Sequence, residues 1–253
     1  MTAPLRIRRV GAVLQLRLHA PQRKNALSRS MLDALASALT DLDDDIVGVV
    51  LAGHKGVFSA GADFADLTGT SADVTYDDAV TAVAAAITAA PVPVVAAVEG
   101  ACIGAAAHLA LTCDARIAGE HAYLQVPAVR LGLLYNPAAV EWLARTYPRD
   151  TVRRLLVLAE RFDDYHALQA GLVSQVVPAG EAVKHATALL ATADPEHRQA
   201  TTLTKTLLTQ LDSGTYDQDA WQLRRRELLD SPARKTAIER AQRRHLHHDD
   251  SER

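Results

Sequence analysis

Two short runs of small residues hold most of the chemistry this sequence can offer. The first is Val57-Phe58-Ser59-Ala60-Gly61-Ala62-Asp63-Phe64, and the second is Gly100-Ala101-Cys102-Ile103-Gly104-Ala105-Ala106-Ala107-His108-Leu109. Each leaves a stretch that reads as a strand and enters one that reads as a helix, so each has backbone N–H groups free to point at a ligand oxygen. A parallel sheet that sets the two strand ends side by side makes a pair of converging donors. Such a pair stabilises a carbonyl oxygen that gains negative charge, as an enolate or a tetrahedral oxyanion, and tiny side chains let the reacting group approach closely.

The elements needed to position those runs are legible in the pattern. Leu5 to Val10 and Ala12 to Leu18 alternate apolar residues with Arg and Gln around Gly11, which predicts a hairpin with one wet face. Ser28 or Ser30 caps a helix in which Leu32, Leu35, Leu39 and Leu42 recur at helical spacing, closed by the acidic stretch Asp41 to Asp45. Ile46 to Ala52 and Val94 to Val98 are nearly continuous apolar runs, as parallel strands buried on both faces require. A helix from Asp77 to Ala90 lies between them. Further strands are expected at Asp114 to Ala118 and Val173 to Val177, and further helices at Ala138 to Arg145, Thr151 to Ala159 and Tyr165 to Ala170. Strand followed by helix, repeated, indicates an α/β fold with right-handed crossovers. From Glu181 onward only helices are predicted, three or four of them, punctuated by Pro195, Gly214 and Ser231. The closing His245-Leu246-His247-His248-Asp249-Asp250 reads as a frayed tail without metal-ligand spacing, and no metal site is expected.

Composition narrows the function classes. At 253 residues with 49% hydrophobic residues, the chain has enough apolar material for one α/β domain with a full core. The formal net charge is −3 with scattered Lys and Arg, which argues against a nucleic-acid partner. The longest apolar segment, Ile87 to Val98, is interrupted by Pro91 and Pro93 and is too short for a membrane span. Cys102 and Cys113 sit in apolar surroundings and are expected as buried free thiols, which suits a reducing, cytoplasmic location. No signal peptide is visible after Met1-Thr2-Ala3-Pro4.

The Phe-Ser-Ala-Gly-Ala-Asp run, Pro93-Val94-Val95-Ala96-Ala97-Val98-Glu99-Gly100 with its small-residue helix, and Cys113-Asp114-Ala115-Arg116-Ile117-Ala118 together resemble the enoyl-CoA hydratase/isomerase, or crotonase, superfamily. Arg23-Lys24-Asn25-Ala26-Leu27 and Ala170-Gly171-Leu172-Val173 fit the same pattern, and the likeness runs from Leu5 to the last helix. The resemblance implies a crotonase-like spiral of ββα units over residues 1–190 and a C-terminal helical trimerisation region over 191–253. It implies a homotrimer or dimer of trimers that binds an acyl-CoA thioester, with CoA as part of the substrate and no separate cofactor. Carried across by motif, the oxyanion-hole amides are those of Ala62 and Ala105; the family usually has Gly where this chain has Ala105. Arg23 and Lys24 stand where basic side chains meet CoA phosphates, although such loop residues are as often simply solvated. Ala26, Ala60 and Asp63 stand where the backbone runs beside pantetheine and adenine.

The same comparison exposes two losses. Family hydratases use two glutamates, one to activate water and one to deliver a proton. Counting back from Asp114, the first position holds His108; the second, after the proline of Gln125-Val126-Pro127, holds Ala128. An imidazole near its ordinary pKa is a competent acid or base, so His108 reads either as a catalytic group or as a packed core histidine. Tyr135 and Asn136 occupy the next turn, where relatives carry other functional groups, and both are candidates for substrate contact. The expected function is therefore acyl-CoA binding through a backbone oxyanion hole, with a non-hydratase or weak acyl-CoA reaction. The alternative is a non-catalytic acyl-CoA carrier of lipid metabolism.

Overall fold

The computed structural model describes residues 3–249, with side chains through residue 243. The chain divides into two compact units, Met1–Thr192 and Ala193–Arg253.

In the first unit, β1 (Leu5–Val10) and β2 (Val13–Leu18) form the expected antiparallel hairpin. From β2 the sheet continues in parallel through β3 (Gly48–Ala52), β4 (Val94–Val98), β6 (Ala115–Gly119) and β9 (Gln175–Val177). Every residue of β3 and β4 is buried, as their unbroken apolar runs require. One face packs against α1 (Arg29–Thr40), α2 (Val74–Ala89) and α3 (Ala105–Thr112), and the other is covered by α7 (Ala182–Leu190) through Ala182, Ala186 and Leu190. The Glu99 carboxylate, at the exit of β4, accepts the N–H groups of Gly180 and Ala182 and so fastens the start of α7.

Helix boundaries follow local chemistry. Ser28 is the residue that caps α1, its hydroxyl accepting the Met31 N–H at 3.3 Å. α2 begins at Val74, before the expected Asp77, because Asp73 gathers the N–H groups of Thr68 and Gly69 and winds the preceding loop into a helical turn. α4 (Pro137–Thr146) and α5 (Arg149–Leu156) follow, and α5 stops short of the expected Ala159. Its last carbonyls are taken by Leu158 and Glu160 N–H groups, and Ala159 adopts φ 49. α6 (Asp164–Gln169) matches its expected place.

A second, three-stranded sheet of β5 (Ala101–Ile103), β7 (Tyr123–Gln125) and β8 (Phe162–Asp163) was not predicted from the sequence. These strands have two or three residues each, too few for an alternation to register.

The second unit contains α8 (Arg198–Ser213), α9 (Gln218–Leu229) and α10 (Pro232–Asp249). Gly214, at φ 70, ends α8 as a left-handed cap, and Trp221 on α9 donates its indole N–H to Gln210 on α8 at 2.7 Å. The backbone from His245 to Asp249, expected as a frayed tail, belongs to α10; Asp250 and the histidine side chains lie outside what is described. Among the described residues no helix is long and apolar enough to cross a membrane.

Candidate active site

The two small-residue runs meet. Ser59 and Cys102 pair in a parallel bridge, with the Ser59 N–H donating to Ala101 and the Ile103 N–H donating to Ser59. One residue pair later the ladder ends, because the Gly61 N–H turns back to Ser59 Oγ at 3.1 Å and the Gly61 carbonyl accepts from Leu27. Gly61 adopts φ 91, and a Cβ there would lie 2.6 Å from the Ile103 carbonyl oxygen, so only glycine permits this approach.

Leu27 bridges Ala62 from the other side, accepting from Asp63 and donating to Gly61. In a parallel bridge the residue flanked by those two bonds keeps its own N–H facing away from its partner. The Ala62 N–H therefore faces the side of β5. Gly104 takes φ 57 and ψ −122 and opens α3, so Ala105 is its first helical residue, whose N–H has no intrahelical acceptor. Neither amide has a hydrogen-bond partner among the described residues. The unusual backbone conformation belongs to Gly104, so the residue at 105 has an ordinary helical conformation that alanine adopts as readily as glycine. The helix dipole adds partial positive charge at the same point.

The Arg23–Ala26 turn is laced to this clamp. The Ala60 N–H donates to the Lys24 carbonyl at 3.0 Å, and Arg23 forms an ion pair with Asp63. The Asp63 carboxylate also accepts the Ala65 N–H at 3.1 Å, so it is committed to holding the loop. Lys24 is exposed and its ammonium has no partner among the described residues; Ala26 is buried. The residue that organises the turn is Asn25, which the sequence reading passed over. Fully buried at φ 55, it donates to the carbonyls of His54 and Val57 and accepts from Ala20. Asparagine tolerates that left-handed conformation, and the type was the available signal.

The opposite wall is built from side chains. Tyr135 packs half-buried with its hydroxyl 3.4 Å from the Gly104 carbonyl, and burial, followed by the Asp77 charge, pushes its pKa up. Ala128 is buried at the start of a short helical turn and, with Tyr135, lines an apolar groove of about 500 Å³. Asn136 caps α4, its Oδ1 accepting the N–H groups of Ala138 and Ala139 at 3.0 and 3.3 Å. His108 is buried between the rings of Tyr135 and Trp142, at centroid distances of 6.2 and 6.0 Å, and lines a different cleft of about 180 Å³ between α2, α3 and α4. Burial lowers its pKa to about 4, leaving the imidazole neutral and a poor base near neutral pH. Asp77, on the first turn of α2, is a half-buried carboxylate close enough to act electrostatically on Tyr135, and its own pKa is raised by burial and by Asp78 and Asp73. Nothing in its sequence context, an exposed-looking pair of aspartates, distinguishes it.

A family model described as enoyl-CoA hydratase/isomerase matches residues 8–245. This chain belongs to that family. Probable enoyl-CoA hydratase echA8 of Mycobacterium tuberculosis (strain CDC 1551 / Oshkosh) is 34% identical over 193 residues, which is 74% of this chain and 72% of that protein. Probable enoyl-CoA hydratase echA6 of the same organism is 32% identical over 171 residues, 67% of this chain and 69% of that protein. Among solved structures, Pseudomonas aeruginosa DspI superposes with a TM-score of 0.86 at 27% identity, covering 96% of this chain and 95% of that one. The crotonase-type α/β fold and the helical C-terminal region expected from the sequence are thus those of the family.

Proposed function

We propose that this enoyl-CoA hydratase/isomerase family member binds acyl-CoA thioesters with the thioester carbonyl between the N–H groups of Ala62 and Ala105, and that it is not an ordinary two-carboxylate hydratase. The observation that carries this is the pair of unpartnered amides on two abutting turns, and it is joined by His108 and Ala128 at the positions where the resemblance implies the two glutamates. Donors fixed in this way polarise a carbonyl without reorganising, and one such donor is worth about 10²- to 10³-fold in rate where charge develops on oxygen. Any turnover would use that polarisation for a non-hydratase step or a slow hydration. Lys24 is the basic side chain available to a CoA phosphate, since Arg23 is engaged with Asp63.

A carrier without chemistry is the second reading. It is favoured by His108, whose proton affinity is depressed by burial and whose ring has no hydrogen-bonding orienter among the described residues. Assembly as a homotrimer or dimer of trimers in the cytoplasm belongs to the proposal on family resemblance alone, and the mass in solution checks it.

The deciding experiment titrates butyryl-CoA and free CoA into the protein by calorimetry and follows crotonyl-CoA hydration, for the native chain and Ala105→Pro. Proline is tolerated at the first helical position, where it removes the N–H and sets its ring Cδ in the place of the hydrogen, so both changes act against a bound carbonyl. Expected are tighter binding of the thioester than of CoA, a loss of about tenfold in that preference with Ala105→Pro, and hydration far below that of two-glutamate relatives. Equal affinity for CoA and thioester, or fast hydration, would overturn the proposal.

A further inference from the structure

The groove that begins at Ala128 and Tyr135 has two arginines along it. Its walls are otherwise apolar, including Val152 and Leu156 of α5, and Arg149 and Arg153 line it from the same helix, four residues apart. Both are exposed, and neither side chain forms an ion pair or hydrogen bond among the described residues. Arg154, on another face of α5, is the contrast: its guanidinium grips Glu160 at 2.7 and 2.8 Å and reaches Asp150 at 3.6 Å.

The arrangement of Arg149 and Arg153 works against helix stability. Like charges one turn apart repel, and a cation at the first helical position faces the positive end of the helix dipole. Asp150, the one acid in that first turn, offsets part of the dipole cost but also faces Arg154 at 3.6 Å, and an anion in the groove would relieve the repulsion between Arg149 and Arg153 directly. Tyr135 lines the groove and also reaches the Gly104 carbonyl, beside the Ala105 amide, so the groove starts one side chain from the carbonyl clamp.

We propose that the acyl group accepted by this site ends in a carboxylate, held at the far end of the groove by Arg149 and Arg153. The substrate class is a monothioester of a dicarboxylic acid: the methylene chain lies along the apolar wall past Ala128, and the terminal charge stays partly hydrated between the two guanidinium groups. This rests on the thioester reading above and adds the ω-end. Guanidinium groups suit the task because they bind carboxylates through paired N–H donors.

The test compares acyl-CoAs that differ only at the ω-end. Adipyl-CoA is measured against hexanoyl-CoA, and suberyl-CoA against octanoyl-CoA, by calorimetry at low and high salt, with the native chain and Arg149→Gln/Arg153→Gln. The replaced side chains are exposed, so the variant is expected to keep its fold and melting temperature. The ω-carboxylated ligand should bind about fivefold to tenfold more tightly, an advantage that shrinks with salt. In the variant the ratio should fall to one or below, while hexanoyl-CoA and octanoyl-CoA bind as before. If the uncharged acyl-CoAs bind and the ω-carboxylate adds nothing, the clamp survives and this proposal falls. A preference that persists in the variant also overturns it, as does a variant whose only change is its oligomeric state in sedimentation. If no acyl-CoA binds, the thioester reading falls first and takes this one with it.

Discussion

The two walls of the site are built from different materials. One wall, residues 59–63 and 101–105, presents backbone N–H groups fixed by turns and by the start of α3. The other is built from side chains: Ala128 and Tyr135 line the groove, while His108 lines a separate cleft and Asn136 caps α4, and His108 and Ala128 stand where the resemblance implies two glutamates. A backbone donor needs only the right turn, so substitution among small residues leaves it in place, as Ala105 illustrates. A proton-transfer group depends on one side chain, and a single replacement removes it. On the proposed reading, carbonyl binding and water addition are separable properties of the same fold.

The comparison breaks most completely at Gly61. Gly61→Val forces a Cβ against the Ile103 carbonyl at a φ that valine rarely adopts, and should abolish measurable butyryl-CoA binding and lower the melting temperature. Unchanged binding would mean the two turns are not the clamp. Restoring the second wall is the converse. His108→Glu combined with Ala128→Glu should raise crotonyl-CoA hydration by about 10²-fold or more over the native chain, with thioester affinity nearly unchanged. A double variant that folds and binds but gains no activity would show that these are not the hydratase positions.

A third effect, on stability and not on the reaction, concerns His108 and pH. Its folded-state pKa, lowered by burial to about 4, lies below the unfolded value near 6.5. The unfolded chain therefore takes up the proton first as pH falls, so this group's contribution to stability is full above about 6.5 and is lost progressively down to about 4. The loss is on the order of 3 kcal/mol. Denaturant unfolding of the native chain and His108→Gln across this range should show a shallower acid decline in the variant. Parallel curves would place the imidazole in water.

What the sequence by itself determined was everything written in local pattern. The apolar runs of β3 and β4, the Ser28 cap of α1, the glycine punctuation and the small-residue motifs are short-range signals, and they specified the main strands of the sheet, the family and the two runs that abut at Ser59 and Cys102. Tertiary structure decided what depends on neighbours distant in the chain. Asn25 gained its role from carbonyls at 54 and 57, and Asn136 spent its side chain on a cap. His108 was turned into a cleft with Trp142 and left neutral, and Asp77 was brought near Tyr135. Arg149 and Arg153 were separated from the acids that satisfy Arg154. Residue type sets what a group can do, but burial, partner and field, which select what it does, come into being only when remote segments pack.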